Sequence, residues 1–271
     1  MELTRIQTME GPRWAVDGWL LPADFCLGKL MELPVQAQAG ILRASVTREA
    51  AAGAPLAPVD PTQEVWAAGV TYLRSREARE AESATGDIYQ RVYTAERPEL
   101  FFKAPGWRVV APDGEIHVRR DSRWNVPEPE LTLVINCRGE VCGYTAGNDV
   151  SSRDIEGENP LYLPQAKVYN GSCALGPRIR LVENDEALRD LTIQLEIRRG
   201  GMLGFAGETS TRLMKRTWAE LAAYLFRELD FPQGALLMTG TGIVPPEMFS
   251  LQVGDTARVT VGELSLENVV A

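Results

Sequence analysis

Short apolar runs separated by turn residues fill most of the chain, and few stretches carry the 3.6-residue period of a helix. Glu64-Val65-Trp66-Ala67-Ala68-Gly69-Val70 reads as a buried strand closed by a turn. Residues 73–95 are charged and alanine-rich, and Gly86 divides them into two predicted helices, the second with Ile88, Val92 and Ala95 on one face. An exposed helical pair of this kind could serve as a mobile lid. From Glu99 onward the pattern is mostly β. Leu131–Ile135 and Val141–Tyr144 flank the turn Cys137-Arg138-Gly139-Glu140, a hairpin signal. Ile179–Val182 and the cleanly alternating Leu191–Ile197 are further strands. Thr209-Ser210 predicts the cap of an amphipathic helix running to Leu229, with Leu213, Leu221, Leu225 and Leu229 facing the core and Pro232-Gln233-Gly234 stopping it. Leu236–Met238, Thr256–Val261 and a terminal strand return to β. No internal repeat is evident. The pattern predicts an α+β fold with a β-rich main domain.

The proline- and alanine-rich stretch 51–61 reads as a linker, which divides the chain into a small N-terminal domain or arm (1–60) and a main domain (61–271). A net charge of −9 and no sustained basic run argue against nucleic acid as a partner. The same acidity disfavours an anionic substrate unless a cation or local basic residues reverse the field at the site. No apolar run of membrane-spanning length occurs and the start lacks a signal-peptide core, so the expectation is a cytoplasmic protein without membrane association. Cys26, Cys137, Cys142 and Cys173 match no metal or redox spacing and are expected to be reduced thiols.

The chemistry concentrates in Val126-Pro127-Glu128-Pro129-Glu130-Leu131. Residues i and i+2 of an extended segment project to one face, so Glu128 and Glu130 point the same way, and the prolines stiffen that geometry. Two close carboxylates repel unless a proton or a cation lies between them, and a preset pair suits Mg²⁺, Mn²⁺ or Ca²⁺. Taken by itself, a bare Glu-x-Glu reads first as a solvated edge-strand face. Asp149 follows the apolar hairpin and precedes a polar turn, from which it can face back toward the pair. Arg153 is a candidate for holding a substrate carboxylate, or else pairs with a neighbouring acid such as Asp154. Lys167, alone in the apolar stretch 159–169, is a candidate base if burial lowers its pKa, or a lysine reaching out to solvent.

Four motifs together, Glu128-Pro129-Glu130-Leu131, Asn148-Asp149-Val150-Ser151-Ser152-Arg153-Asp154, Lys167 ahead of Leu175-Gly176-Pro177, and Thr239-Gly240-Thr241, resemble the fumarylacetoacetate hydrolase superfamily over residues 64 to 268. The resemblance implies a mixed β-roll, a homodimer or homotetramer, and a Mg²⁺-like ion held by Glu128, Glu130 and Asp149. The carboxylate and keto oxygen of a small 2-keto acid would complete its coordination sphere.

The C–C hydrolases of that superfamily carry a water-activating His after the first strand, and Ser75 stands at its place here. His117, the single histidine, sits in an alternating stretch, 115–119, and is expected to be structural. Arg97–Lys103, Glu158–Gln165 and Thr239–Pro245 resemble instead the sugar-acid branch, which dehydrates 2-keto-3-deoxy-D-arabinonate to 2,5-dioxopentanoate. That resemblance implies Glu99 and Lys167 as the catalytic pair; burial and the nearby metal would make Lys167 the neutral base, and burial near other carboxylates would make Glu99 the acid, unless the roles are reversed. Arg153, Gln165 and Thr241 are the candidates for substrate contacts. C–C hydrolysis, decarboxylation or isomerisation of a 2-keto acid, and a catalytically silent binding relative, are the competing readings.

Overall fold

The computed structural model of the protein describes residues 1–82 and 87–271. In chain order the strands are β1 (Glu2–Thr8), β2 (Gly11–Val16), β3 (Trp19–Leu20), β4 (Ala54–Leu56), β5 (Glu64–Gly69), β6 (Glu99–Pro105), β7 (Glu115–Ile116), β8 (Asn125–Val126) and β9 (Pro129–Ile135). They continue as β10 (Val141–Asp149), β11 (Ser151–Ser152), β12 (Cys173–Leu181), β13 (Thr192–Arg199), β14 (Met202–Ser210), β15 (Ala235–Met238), β16 (Thr256–Val261) and β17 (Leu264–Val270). The α-helices are α1 (Leu27–Met31), α2 (Val35–Ser45), α3 (Leu73–Glu82), α4 (Asp87–Thr94), α5 (Arg153–Glu158), α6 (Leu163–Lys167) and α7 (Trp218–Leu225).

The large mixed sheet runs β3-β2-β1-β12-β10-β9-β15-β5-β6, with β4 also on β1, and a five-stranded sheet runs β14-β13-β16-β17-β7. Side chains alternate between faces along each strand. Leu131, Leu133 and Ile135 of β9 therefore face Ile193, Leu195 and Val259 of the second sheet, whereas Val134 packs with Leu236, Leu27, Leu30 and Leu42 on the opposite side. Both faces of β9 are covered, which is why Leu133, Val134 and Ile135 are apolar in succession. The arrangement is the α+β class that the pattern predicted, with the mixed sheet that the family resemblance implied.

Two expectations fail, for physical reasons. The stretch predicted as a linker is tied into the fold, because β4 pairs with β1 and the buried Asp60 accepts from Trp14 Nε1 (3.0 Å) and the Gly28 N–H (2.8 Å). The first 60 residues thus share the large sheet, β1 pairing antiparallel with β12. The helix predicted from Thr209 is also wrong in its first half. Gly200 and Gly201, at φ +57° and +81°, form a tight two-residue turn that pairs Arg199 with Met202 and continues the chain as strand β14. The helix starts only at Thr217, whose hydroxyl accepts from the Glu220 N–H while Glu220 reaches back, and it ends at Leu225. Leu221 and Leu225 are buried; Leu213 and Leu229 are exposed.

The two helices predicted within 73–95 are α3 and α4, and Gly86, the predicted break, lies outside the described residues. Tyr89 is the buried residue of α4, with Ile88 and Val92 partly buried and Ala95 exposed. The four cysteines are free thiols. Among the described residues, no helix is long and apolar enough to cross a membrane.

Candidate active site

Glu128 and Glu130 occupy the entry of β9, two residues apart and on the same face. Asp149, the last residue of β10, donates its N–H to the Glu128 carbonyl at 3.0 Å, so it lies directly across from Glu128 on that face. All three are at least 97% buried, and a carboxylate oxygen from each lies within 4.8 Å of the other two. Strand β15 ends beside them. There the Gly240 N–H donates to Glu130 Oε2 at 2.6 Å. Gly240 has φ +90°, and a Cβ would lie 2.2 Å from Thr71 Oγ1, so Thr239-Gly240-Thr241 admits only glycine at its centre.

Four cations balance these acids. Glu128 Oε1 accepts from Arg79 Nη2 at 2.5 Å and from Arg153 Nη2 at 2.7 Å, and its Oε2 accepts from Lys167 Nζ at 2.5 Å. Lys167 also donates to Asp149 Oδ2 (3.2 Å) and Ser151 Oγ (2.7 Å). Lys103, wholly buried on β6, pairs with Asp149 Oδ1 and donates to the Val150 carbonyl at 3.3 Å and to that of Lys167. Strands β6 and β10 are not sheet neighbours, so this contact marks where the sheet curls back over the acids. Behind them Glu156 Oε2 sits 3.2 Å from Arg79 Nη1 and 3.8 Å from Arg153 Nη1.

Glu99, at the start of β6, lines the same narrow cavity as the triad and Lys167. It pairs in register with Gly69, and a Cβ there would fall 2.0 Å from Glu99 Oε2. Withdrawal from water, then the charge of Glu156, push the Glu99 carboxyl up to about 7. Glu130 is held well above the ordinary carboxylate range, by burial first and by Asp149 and Glu128 next. For Lys167 burial alone pulls the ammonium down, but Asp149, Glu128 and Glu156 outweigh it and hold the pKa above the ordinary lysine value. Burial, weighed from the sequence as lowering the Lys167 pKa, is opposed in the fold by carboxylates that lie far from it in the chain.

Of the residues singled out from sequence, Glu99, Glu128, Glu130, Asp149, Lys167 and Thr241 line one cavity. Arg153 is buried against Glu128 and Glu156 rather than Asp154, which accepts from Ser122 and the Arg123 N–H. Gln165 is exposed, outside that lining, and its backbone carbonyl accepts from Arg119. His117 is likewise exposed and outside the lining, its ring facing Gly171. Sequence reasoning missed Arg79, Lys103 and Glu156. Arg79 lies one turn beyond Ser75 on α3, and both line the cavity. Lys103 carried the signal used for Lys167, a lone lysine in an apolar run.

Three converging carboxylates, with oxygen the only ligand element, make a site for a hard divalent cation, set here beside a near-neutral acid and a lysine. Residues 64–271 match the family model described as Fumarylacetoacetate (FAA) hydrolase C-terminal. The chain belongs to the fumarylacetoacetate hydrolase family. It is 50% identical over 204 residues to a Haloferax volcanii protein named "Probable 2-keto-3-deoxyxylonate dehydratase", covering 75% of this chain and 70% of that one. It is 43% identical over 211 residues to the 2-dehydro-3-deoxy-D-arabinonate dehydratase of Saccharolobus solfataricus, covering 76% and 70%. A solved 2-keto-3-deoxy-D-arabinonate dehydratase, complexed with magnesium and 2,5-dioxopentanoate, superposes with a TM-score of 0.85 at 34% identity, covering 100% of this chain and 98% of that one.

Proposed function

We propose that the protein is a Mg²⁺-dependent dehydratase that converts 2-keto-3-deoxy-D-arabinonate, or a sugar acid of the same kind, to 2,5-dioxopentanoate in pentose catabolism. The observation that carries the reading is the convergence of the acid triad, Glu99 and Lys167 on one cavity. The likeness to dehydratases over most of the chain supports it. Glu128, Glu130 and Asp149 offer the all-oxygen donor set that Mg²⁺ takes, and Mn²⁺ or Ca²⁺ fit the same donors. Bound there, the ion would supply Lewis-acid polarisation of a 2-keto group and so acidify the C3 hydrogens.

The chain's own residues supply the proton transfers. Glu99, with a pKa near neutrality, is the base that removes a C3 proton. Lys167, held as an ammonium by its carboxylate neighbours, is the acid that protonates the departing C4 hydroxyl. The C3–H electron pair becomes the C3–C4 double bond, the C4–O bond breaks, and one water leaves. Loss of a C5 proton and return of a proton to C3 move the double bond to C4–C5, and the enol so formed gives up its hydroxyl proton and takes one at C4 to become the aldehyde. Thr241 at the cavity wall supports a substrate contact, as does Arg153 through Glu128. The exposed position of Gln165 leaves it a role only at the rim. We further propose a cytoplasmic homodimer or homotetramer, which light scattering of the purified chain reads directly.

The test is incubation with 2-keto-3-deoxy-D-arabinonate and, separately, with an acylpyruvate, each with and without EDTA. Aldehyde appearing only from the sugar acid, and only without chelator, is the expected result. Cleavage of the acylpyruvate alone would replace the reading with C–C hydrolysis.

A further inference from the structure

We propose that Arg79 is a specificity-determining residue that exchanges Glu128 for the substrate. A divalent cation entering the triad displaces its guanidinium, which then donates to hydroxyl oxygens at the far end of a short, hydroxylated 2-keto acid. This inference rests on the dehydratase reading and deepens it.

Both oxygens of Glu128 are taken by cations. Oε1 holds two guanidinium groups at once, from Arg79 and Arg153, and Oε2 holds the Lys167 ammonium. Like charges meeting on one oxygen repel, and a dication on the same carboxylate adds to that repulsion. The dication therefore loosens these contacts, most of all at Oε1, where two guanidinium groups already meet. Lys167 and Arg153 project from α6 and α5, which pack on each other and on β11, whereas Arg79 projects from α3, which packs mainly on α4. We therefore assign the movement to Arg79, whose helix packs apart from the other two. Glu156, 3.2 Å from Arg79 Nη1, keeps the guanidinium in the cavity after it leaves Glu128, so it pivots rather than departs.

The wall it would meet is polar. With the keto-acid end at the triad and Glu99 and Lys167 beside the middle carbons, the other polar side chains of the lining are Ser75, Arg79, Glu156 and Thr241. A hydroxylated tail finds both donors and acceptors there. An alkyl tail would offer these largely buried groups no hydrogen bond. Arginine suits the task because its charge is permanent and its donors are several and fixed in direction.

The experiment uses Arg79→Met and Arg79→Lys in the full chain. Mg²⁺ binding is measured by isothermal titration calorimetry without substrate. Inhibition constants are then measured with Mg²⁺ for 5-hydroxy-2-oxopentanoate and for 2-oxopentanoate, neither of which can lose a C4 hydroxyl. Arg79→Met should bind Mg²⁺ about threefold more tightly or better, since a competing cation is gone. It should also lose the roughly tenfold preference of the wild type for the hydroxylated inhibitor. Arg79→Lys should bind Mg²⁺ like the wild type and recover part of that preference. Mg²⁺ affinity unchanged or weakened in Arg79→Met, or an intact inhibitor preference, overturns the proposal while leaving the dehydratase reading standing. Absence of Mg²⁺ uptake by the wild type sinks both.

Discussion

Replacing Glu99 with Gln should raise the stability of the protein at alkaline pH while removing its turnover. The Glu99 carboxyl is displaced from an ordinary 4.5 to about 7. A tenfold change in proton affinity corresponds to about 1.4 kcal/mol, so carrying the ionised group in the fold costs roughly 3 kcal/mol above pH 7. The group opens onto the cavity, where solvent screens it, and roughly 2 kcal/mol is the better expectation. The sign follows from proton counting. Between pH 4.5 and 7 the native chain holds a proton that the unfolded chain has released, so stability falls as pH rises through that window. Below it both states are protonated and the penalty is absent; above it both are ionised and the penalty is constant. Glutamine is neutral at every pH and nearly the same size. Whatever it changes in packing or hydrogen bonding is a fixed offset, so the quantity to read is the pH dependence of the difference. Urea unfolding of both proteins in EDTA at pH 5 and pH 8 should show the variant gaining roughly 1 kcal/mol more at pH 8, since part of the penalty is already present at pH 5. Wild-type turnover, in parallel, should rise with pH through about 7 as the carboxylate forms. A stability difference that is the same at both pH values refutes the placement of Glu99 as a strained acid, whatever the variant does to activity.

Other substitutions probe the supports of the site. Gly69→Ala would set a methyl 2.0 Å from Glu99 Oε2, and the shift forced on that carboxyl should lower kcat about a hundredfold. Calorimetric Mg²⁺ affinity should stay as in the wild type; equal kcat would show that Glu99 need not sit where it does. Lys103→Met strips a buried cation from Asp149 and two carbonyls, and denaturant unfolding should report a loss of about 3–5 kcal/mol. A loss below 1 kcal/mol would mean the pair is not held in solution. Mg²⁺ at about a hundredfold above its Kd should add about 2.7 kcal/mol and raise Tm by roughly 5–10 °C. Glu130→Gln should abolish that rise in a thermal melt, and a Tm shift that survives in Glu130→Gln would place the ion elsewhere.

What was legible in the sequence depended on how far apart the interacting residues lie. Glu128 and Glu130 were readable as a pair because strand geometry fixes residues two apart on one face, and Pro127 and Pro129 leave little other backbone choice. Asp149 needed the register of β9 against β10, which the hairpin signal suggested and the pairing Asn148↔Pro129 sets. The Gly200-Gly201 turn was a local signal passed over, and the error spread down the chain: strand β14 was read as the first half of a helix because Thr209-Ser210 looks like a cap wherever it falls. The stretch 51–61 failed for the opposite reason. Its composition is that of a linker, and what fixes it, Trp14 and Gly28 against Asp60, lies more than thirty residues away in the chain.

The charge state of Lys167 shows the same limit in its sharpest form. From the sequence, an isolated lysine in an apolar segment should lose its proton, and that inference is sound for the segment taken alone. In the fold the ammonium meets Glu128 from the entry of β9, Asp149 from β10 and Ser151 beyond it, so attraction outweighs desolvation and the group stays charged. In the proposed mechanism the acid–base assignment is therefore the reverse of the one that burial alone suggests, on the same two residues. The candidate residues were legible in local motifs, but their charge is set by the sum of charges from α3, α5, α6, β6, β9 and β10, a sum that exists only once β6 curls over β10 and Lys103 closes on Asp149.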